Sequence, residues 1–173
     1  LEKRAAAIAE SLMAVAGDEA KPEDDRAAAA RQLIGFRADD PATALALLGL
    51  LSPRTPPAVA TGFLEAVGTG ESPEVGAALI ESLPALTPST RPVALRVLLG
   101  RADWTPALLD AIDAGNVRFT ELSLDQKQAL AMHPDRAIAR RAKTMLEQGG
   151  GLPDADRQKV IDEIGPLVME GGD

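Results

Sequence analysis

Leu33-Ile34-Gly35-Phe36-Arg37-Ala38-Asp39-Asp40-Pro41 returns, slightly edited, as Leu98-Leu99-Gly100-Arg101-Ala102-Asp103-Trp104-Thr105-Pro106. The second copy has one residue fewer between Gly and Arg, yet the glycines and the prolines both lie 65 positions apart. Pro73 falls midway between Pro41 and Pro106, and Pro134 follows Pro106 sooner, in a shorter unit. Asp40-Pro41, Ser72-Pro73 and Thr105-Pro106 each set an oxygen-bearing cap before a proline at the first helical position, where the missing N–H costs nothing. Asp135 offers a similar cap after His133-Pro134, and Gly17, Gly100, Gly115 and Gly149-Gly150-Gly151 read as stops at which glycine takes a positive φ. Between these marks the spacing predicts helices over about 2–16, 23–37, 41–52, 57–68, 73–84, 90–101, 105–114, 124–132, 135–148 and 154–169. No stretch alternates with the period of two that a half-buried strand requires.

Composition agrees. Of 173 residues, 32 are Ala and 23 Leu, Tyr is absent and the aromatic share is 2%, a balance that favours helices over sheets. The expected fold is all-α. Helix pairs recurring every 30-odd residues, each burying a face only against its neighbours, suggest an α-solenoid of about ten short antiparallel helices. The unit, a helix, a tight turn with Asp-Pro or its equivalent and a leucine-rich second helix, resembles HEAT and armadillo repeats. Ankyrin is disfavoured because no Thr-Pro-Leu-His stretch occurs, and the aromatic positions of tetratricopeptide repeats are missing. Leu45, Leu48 and Leu51, and Ala77, Ile80 and Leu83, form stripes of helical spacing that read as core.

The formal charge of −8 argues against nucleic acid as a partner, since a duplex binder must neutralise phosphates with a basic face. With no cysteine, there is no disulfide, thiol nucleophile, zinc finger, iron–sulfur cluster or covalent haem attachment. The longest apolar run, 44–51, has eight residues against the roughly 20 that span a bilayer, so no membrane insertion is expected of this segment. Gly68-Thr69-Gly70 begins a dinucleotide-like pattern, but Pro73 stands at the third glycine position and no strand precedes it. Gly70-Glu71-Ser72-Pro73-Glu74 lacks the second glycine of a hydrolase elbow. Asp154-Ala155-Asp156 fails as a calcium loop, with Lys159 where the turn glycine belongs and Gly165 where the bidentate glutamate belongs. Asp110 and Asp113 share a helix face without a partner base, and read as a solvated surface. His133, the sole histidine, reads as a turn residue. The expectation is therefore no enzyme, no cofactor and no metal.

Two features remain as candidates for protein binding. Trp104, the one tryptophan, either anchors the turn between two repeats or marks an interface, where tryptophan is enriched. Arg136, Arg140 and Lys143 share a helix face with Arg141 beside it, the one basic cluster of an acidic chain, and suit an acidic partner or simply a solvated face.

Ala107-Leu108-Leu109-Asp110-Ala111-Ile112-Asp113-Ala114-Gly115, then Leu122-Ser123-Leu124-Asp125-Gln126-Lys127-Gln128-Ala129-Leu130, carry a family resemblance. So do His133-Pro134-Asp135-Arg136-Ala137-Ile138-Ala139-Arg140-Arg141-Ala142-Lys143 and Gly151-Leu152-Pro153-Asp154-Ala155-Asp156-Arg157-Gln158-Lys159-Val160. Together they resemble the HEAT-like helical domain of large planctomycete-type proteins, most closely over 104–169. In that family a membrane-bound-dehydrogenase β-propeller precedes the helical repeats and a c-type cytochrome domain, marked by Cys-x-x-Cys-His, follows them. The resemblance implies an exported parent and an extracytoplasmic location, and it carries over no catalytic residue.

The expected organisation is one repeat domain over 1–169: an N-terminal helix within 1–20, helix-pair repeats over 21–115 and the family-like region over 116–169. A linker-like tail occupies 170–173. The chain starts at Leu1 without a leader and ends on Glu170-Gly171-Gly172-Asp173, which reads as a segment of a longer polypeptide. The expected role is a non-enzymatic scaffold that positions the propeller and the cytochrome. The rivals are a stand-alone peptide- or protein-binding module and an enzyme of HEAT-like fold.

Overall fold

The computed structural model describes residues 2–70 and 72–149, and the chain divides at Leu122/Ser123 into two compact units. The first unit holds seven α-helices: α1 (Glu2–Gly17), α2 (Glu23–Phe36), α3 (Pro41–Gly49), α4 (Pro57–Gly68), α5 (Glu74–Ser82), α6 (Arg91–Leu99) and α7 (Thr105–Asp113). The second holds α8 (Leu124–Ala131) and α9 (Arg136–Gly149). No strand occurs among the described residues, so the chain is all-helical there. The helix expected over 154–169 lies outside the described residues. Two short 3₁₀ turns, Leu83–Ala85 and Phe119–Glu121, are ones the sequence pattern does not announce.

In the first unit, contacts skip one helix at a time. α2 packs on α4 and α4 on α6, while α3 packs on α5 and α5 on α7; α1 lies on α2. Sequential pairs such as α3 with α4 and α6 with α7 join the two rows. Leu33 and Ile34 of α2, Leu47 of α3, Phe63 and Leu64 of α4, Leu79 of α5, Leu95 and Leu98 of α6 and Leu108 and Leu109 of α7 are fully buried. Each such side chain contributes about 1.5–3 kcal/mol relative to exposure.

Small residues set how close the rows approach. A Cβ placed on Gly62 of α4 would lie 2.5 Å from Ala27 Cβ of α2. One placed on Gly68, at the end of α4, would lie 2.8 Å from Val97 Cγ1 of α6, and one on Gly76 of α5 would lie 2.6 Å from Trp104 Cγ at the start of α7. Each contact joins a helix to the next but one, and each is closer than a side chain on that residue permits.

The caps divide. Asp40 accepts from Ala42 N (3.1 Å) and from Thr43 Oγ1 (2.9 Å), as its position before Pro41 predicts. Asp135 Oδ1 accepts from Ala137 N at 2.7 Å, and Ser123 with Gln126 closes a reciprocal capping box on α8. Ser72 and Thr105 do not cap. Pro73 itself holds the cap position of α5, with no side-chain bond there. Thr105 is already helical, and its buried hydroxyl donates back to Arg101 O at 3.0 Å. A buried hydroxyl needs a partner, and the carbonyl one turn earlier is within reach.

The stops need a similar correction. Among the described residues Gly115 alone has positive φ, at 78°. Gly17 ends α1 from inside it, and Gly100 sits at φ −70°, its N–H shared between Arg96 O and Val97 O. The next chain segment leaves in the right-handed region there, so no left-handed residue is required. The C-terminus of α1 is held instead by Arg26, a buried residue of α2 whose Nε donates to Ala16 O at 2.9 Å, a cation at the negative end of a helix.

In the second unit α8 packs against α9. Leu130 is buried, as are Ile138, Ala142 and Met145, which recur at helical spacing along one side of α9.

Candidate functional site

Arg136, Arg140 and Lys143 stand three and four residues apart on α9, so they share a face, and all three are exposed. Ile138, Ala142 and Met145 occupy another face of the same helix and are buried. None of the three cations forms an ion pair with a described residue. Arg141 is half-buried and has a partner of its own. The sequence-derived basic cluster is therefore a coherent exposed face in the second unit.

Trp104 belongs elsewhere. It is fully buried, its Nε1 donates to Ser72 O at 3.1 Å, and Arg101 lies over its ring, 5.2 Å from the centroid. The indole thus ties the turn before α7 to the turn before α5. As a surface residue for a partner Trp104 is corrected: a ring enclosed by Gly76 and bonded to a carbonyl has no face left to offer.

Asp110 and Asp113 are both exposed and both already engaged in interactions. His133 Nδ1 accepts from Asp135 N at 3.0 Å, which ties the α8–α9 turn together. Asp154 and Asp156 lie outside the described residues. Among the described residues no group of three or more His, Asp or Glu side chains is arranged to hold a metal ion, and no helix is long and apolar enough to cross a membrane.

The structure brings together a cluster that sequence reading missed. Arg91, at the start of α6, and Arg118, before the second 3₁₀ turn, converge on Glu121. Glu121 Oε1 accepts from Arg118 N (3.1 Å), Arg118 Nε (3.4 Å) and Arg91 Nη2 (3.4 Å). Arg91 Nε is ion-paired with Glu121 Oε2, though its N–H is not aimed for a hydrogen bond and stays unsatisfied. Arg91 also donates to Leu83 O at 3.3 Å. Arg91 and Glu121 lie far apart along the chain, on separate elements, and nothing local in the sequence signals their meeting. Only the Arg118–Glu121 spacing of three was readable, as a local pair in which Glu121 accepts from the Arg118 amide.

Beside this cluster opens a cleft of about 540 Å³, lined by Leu86, Pro88, Pro92, Leu95, Gly115 and Asn116 together with the three charged residues. Partial burial of Glu121 by itself raises its carboxyl pKa. The Arg118 amide, the Arg91 charge and the two guanidinium groups outweigh that, so the carboxyl sits below its ordinary value of 4.5.

A depressed carboxylate pKa stabilises the folded chain at every pH above the unfolded value, and the contribution fades as pH falls through the folded value. Below about pH 4.5, the unfolded value, the wild type is therefore expected to lose stability faster than Glu121→Gln. Thermal melts of both proteins from pH 7 to pH 3 measure this, and parallel curves would show that Glu121 contributes nothing.

Compared with protein-family models, with curated proteins and with solved structures, the chain matches none.

Proposed function

We propose that the chain is a non-enzymatic HEAT-like α-solenoid scaffold that positions neighbouring protein domains. The observation that carries this reading is the packing in the first unit, each helix against the next but one, in two rows joined by sequential contacts. That alternation is how stacked helix pairs bury their faces against neighbours, and the sequence echo around Gly35 and Gly100 gives it a period. Such a stack works mechanically: it sets a distance and an angle between the bodies at its ends. On the family resemblance those bodies are a β-propeller and a c-type cytochrome domain, in an extracytoplasmic parent, and the exposed Arg136, Arg140 and Lys143 face is where an acidic surface docks.

The test is calorimetric titration of this chain against the propeller and cytochrome domains of the same polypeptide, each expressed alone. Saturable binding to one of them is expected, weaker at high salt because exposed charges are screened. The triple variant R136E/R140E/K143E is expected to weaken it by about tenfold or more. A chain that ignores both domains is not their scaffold.

A further inference from the structure

The cleft at the α6–α7 corner has a lopsided charge. Two guanidinium groups meet one carboxylate, which leaves one net positive charge on a chain of net charge −8. The surplus lies on Arg118. Its Nε is only loosely engaged, 3.4 Å from Glu121 Oε1, and its side chain is 81% exposed. Glu121 meets the guanidinium at its Nε edge, which leaves the terminal fork exposed at the mouth of the cleft.

The surroundings are selective. Gly115, at φ 78°, turns the chain after α7 so that Asn116 N reaches back to Ala111 O at 2.9 Å, which leaves the exposed Asn116 side chain at the rim. This is the left-handed helix end that glycine allows. The exposed rings of Pro88 and Pro92 form the apolar wall, with Leu86 and Leu95 buried behind them. The two rings offer apolar contact; Arg91 and Glu121, which also line the cleft, are engaged with each other, and Arg118 and Asn116 are the exposed polar side chains at its rim.

We propose that this cleft binds an acidic side chain of a partner peptide: the Arg118 fork takes the carboxylate, Asn116 holds the peptide backbone, and an adjacent apolar side chain lies on Pro88 and Pro92. A guanidinium fork matches a carboxylate bidentately. The cleft is open along one side, so a small free carboxylate would stay largely hydrated, whereas a peptide adds the contact on the prolines. The inference rests on the reading of the chain as a protein-interaction scaffold only for the class of partner.

The experiment uses the whole chain and a fluorescein-labelled peptide, Ser-Leu-Leu-Asp-Pro-Ser, blocked as its C-terminal amide, followed by fluorescence anisotropy. Saturable binding tighter than about 1 mM is expected. The same peptide with Asn for Asp is expected to bind about tenfold more weakly. Arg118→Ala is expected to lower affinity for the Asp peptide by about tenfold and leave the Asn peptide unchanged, with Arg118→Lys between, since lysine offers a point charge and no fork. Asn116→Ala is expected to weaken both peptides. Arg118 is a surface residue, so its variants keep their fold, which a melt checks. Equal binding of the two peptides, indifference to Arg118→Ala, or no saturation up to about 1 mM would each overturn the proposal. The R136E/R140E/K143E variant separates the two ideas: it is expected to weaken docking on α9 and to leave peptide binding in the cleft intact.

Discussion

Trp104→Ala is expected to destabilise the first unit by about 3–5 kcal/mol, the range for emptying a buried large aromatic site. The indole is fully buried and its Nε1 bond to Ser72 O goes with it, which leaves that carbonyl only the Val75 N–H at 3.3 Å. Domains have only about 5–15 kcal/mol of stability in all, so this one substitution removes a large share. The urea midpoint at unchanged slope measures the loss. A partner reading of Trp104 predicts something else, an intact fold with impaired binding. Gly76 supplies the internal control. Its Cα approaches the indole so closely that an added Cβ would lie 2.6 Å from Cγ, 2.8 Å from Cδ1 and 2.9 Å from Cβ of Trp104. Gly76→Ala is therefore expected to cost about 1–3 kcal/mol in the wild type, despite the roughly 1 kcal/mol that alanine gains in a helix. In the Trp104→Ala background the ring atoms are gone and only the Cβ at 2.9 Å remains, so Gly76→Ala is expected to cost clearly less than in the wild type. An equal penalty in both backgrounds would falsify the contact.

Gly62→Ala is expected to be as damaging, for a harsher reason. Its Cβ would lie 2.5 Å from Ala27 Cβ and 3.3 Å from Ala27 Cα. A methyl and a backbone atom cannot rotate aside, so α4 has to move off α2 along an interface that also buries Ala30, Leu33 and Phe63. The expected cost is about 1–3 kcal/mol, at the upper end because the backbones themselves must part. Gly35 and Gly49 test the sign. A Cβ at either meets nothing within 4 Å, so Gly35→Ala and Gly49→Ala are expected to stabilise by a few tenths to about 1 kcal/mol. Four melts decide this, and a Gly62→Ala protein as stable as Gly35→Ala would show that the helices are not in close contact.

Much of the local structure was legible. Every described helix starts and stops within a few residues of the span predicted for it, because caps, prolines and apolar period act within a turn or two of the chain. The errors are instructive for the same reason. Ser72 and Thr105 have cap-forming side chains before a proline, yet tertiary demands reassign them: Ser72 gives its carbonyl to Trp104, and Thr105 is buried and turns its hydroxyl back to Arg101. Gly100 looked like Gly115 in sequence, but Gly115 alone takes positive φ among the described residues, since only its turn sends the following amides back onto Ala111 O.

The candidate sites split along the same line. Arg136, Arg140 and Lys143 were readable because helical periodicity alone puts them on one face. Arg91 and Glu121 were not, being distant in sequence and carried on elements whose meeting depends on packing. Trp104 was visible as a special residue, but whether it faced a partner or the core depended on a glycine in another helix.

By itself, then, the sequence determined that the described residues are helical, where the helices among them lie and the basic face of α9, all consequences of forces that act over one or two turns. The tertiary structure alone decided that Gly62 and Gly76 admit close neighbours, that Trp104 is enclosed, and that Arg91, Arg118 and Glu121 share a cleft. Those depend on excluded volume and charge between residues distant in sequence, which no local pattern encodes.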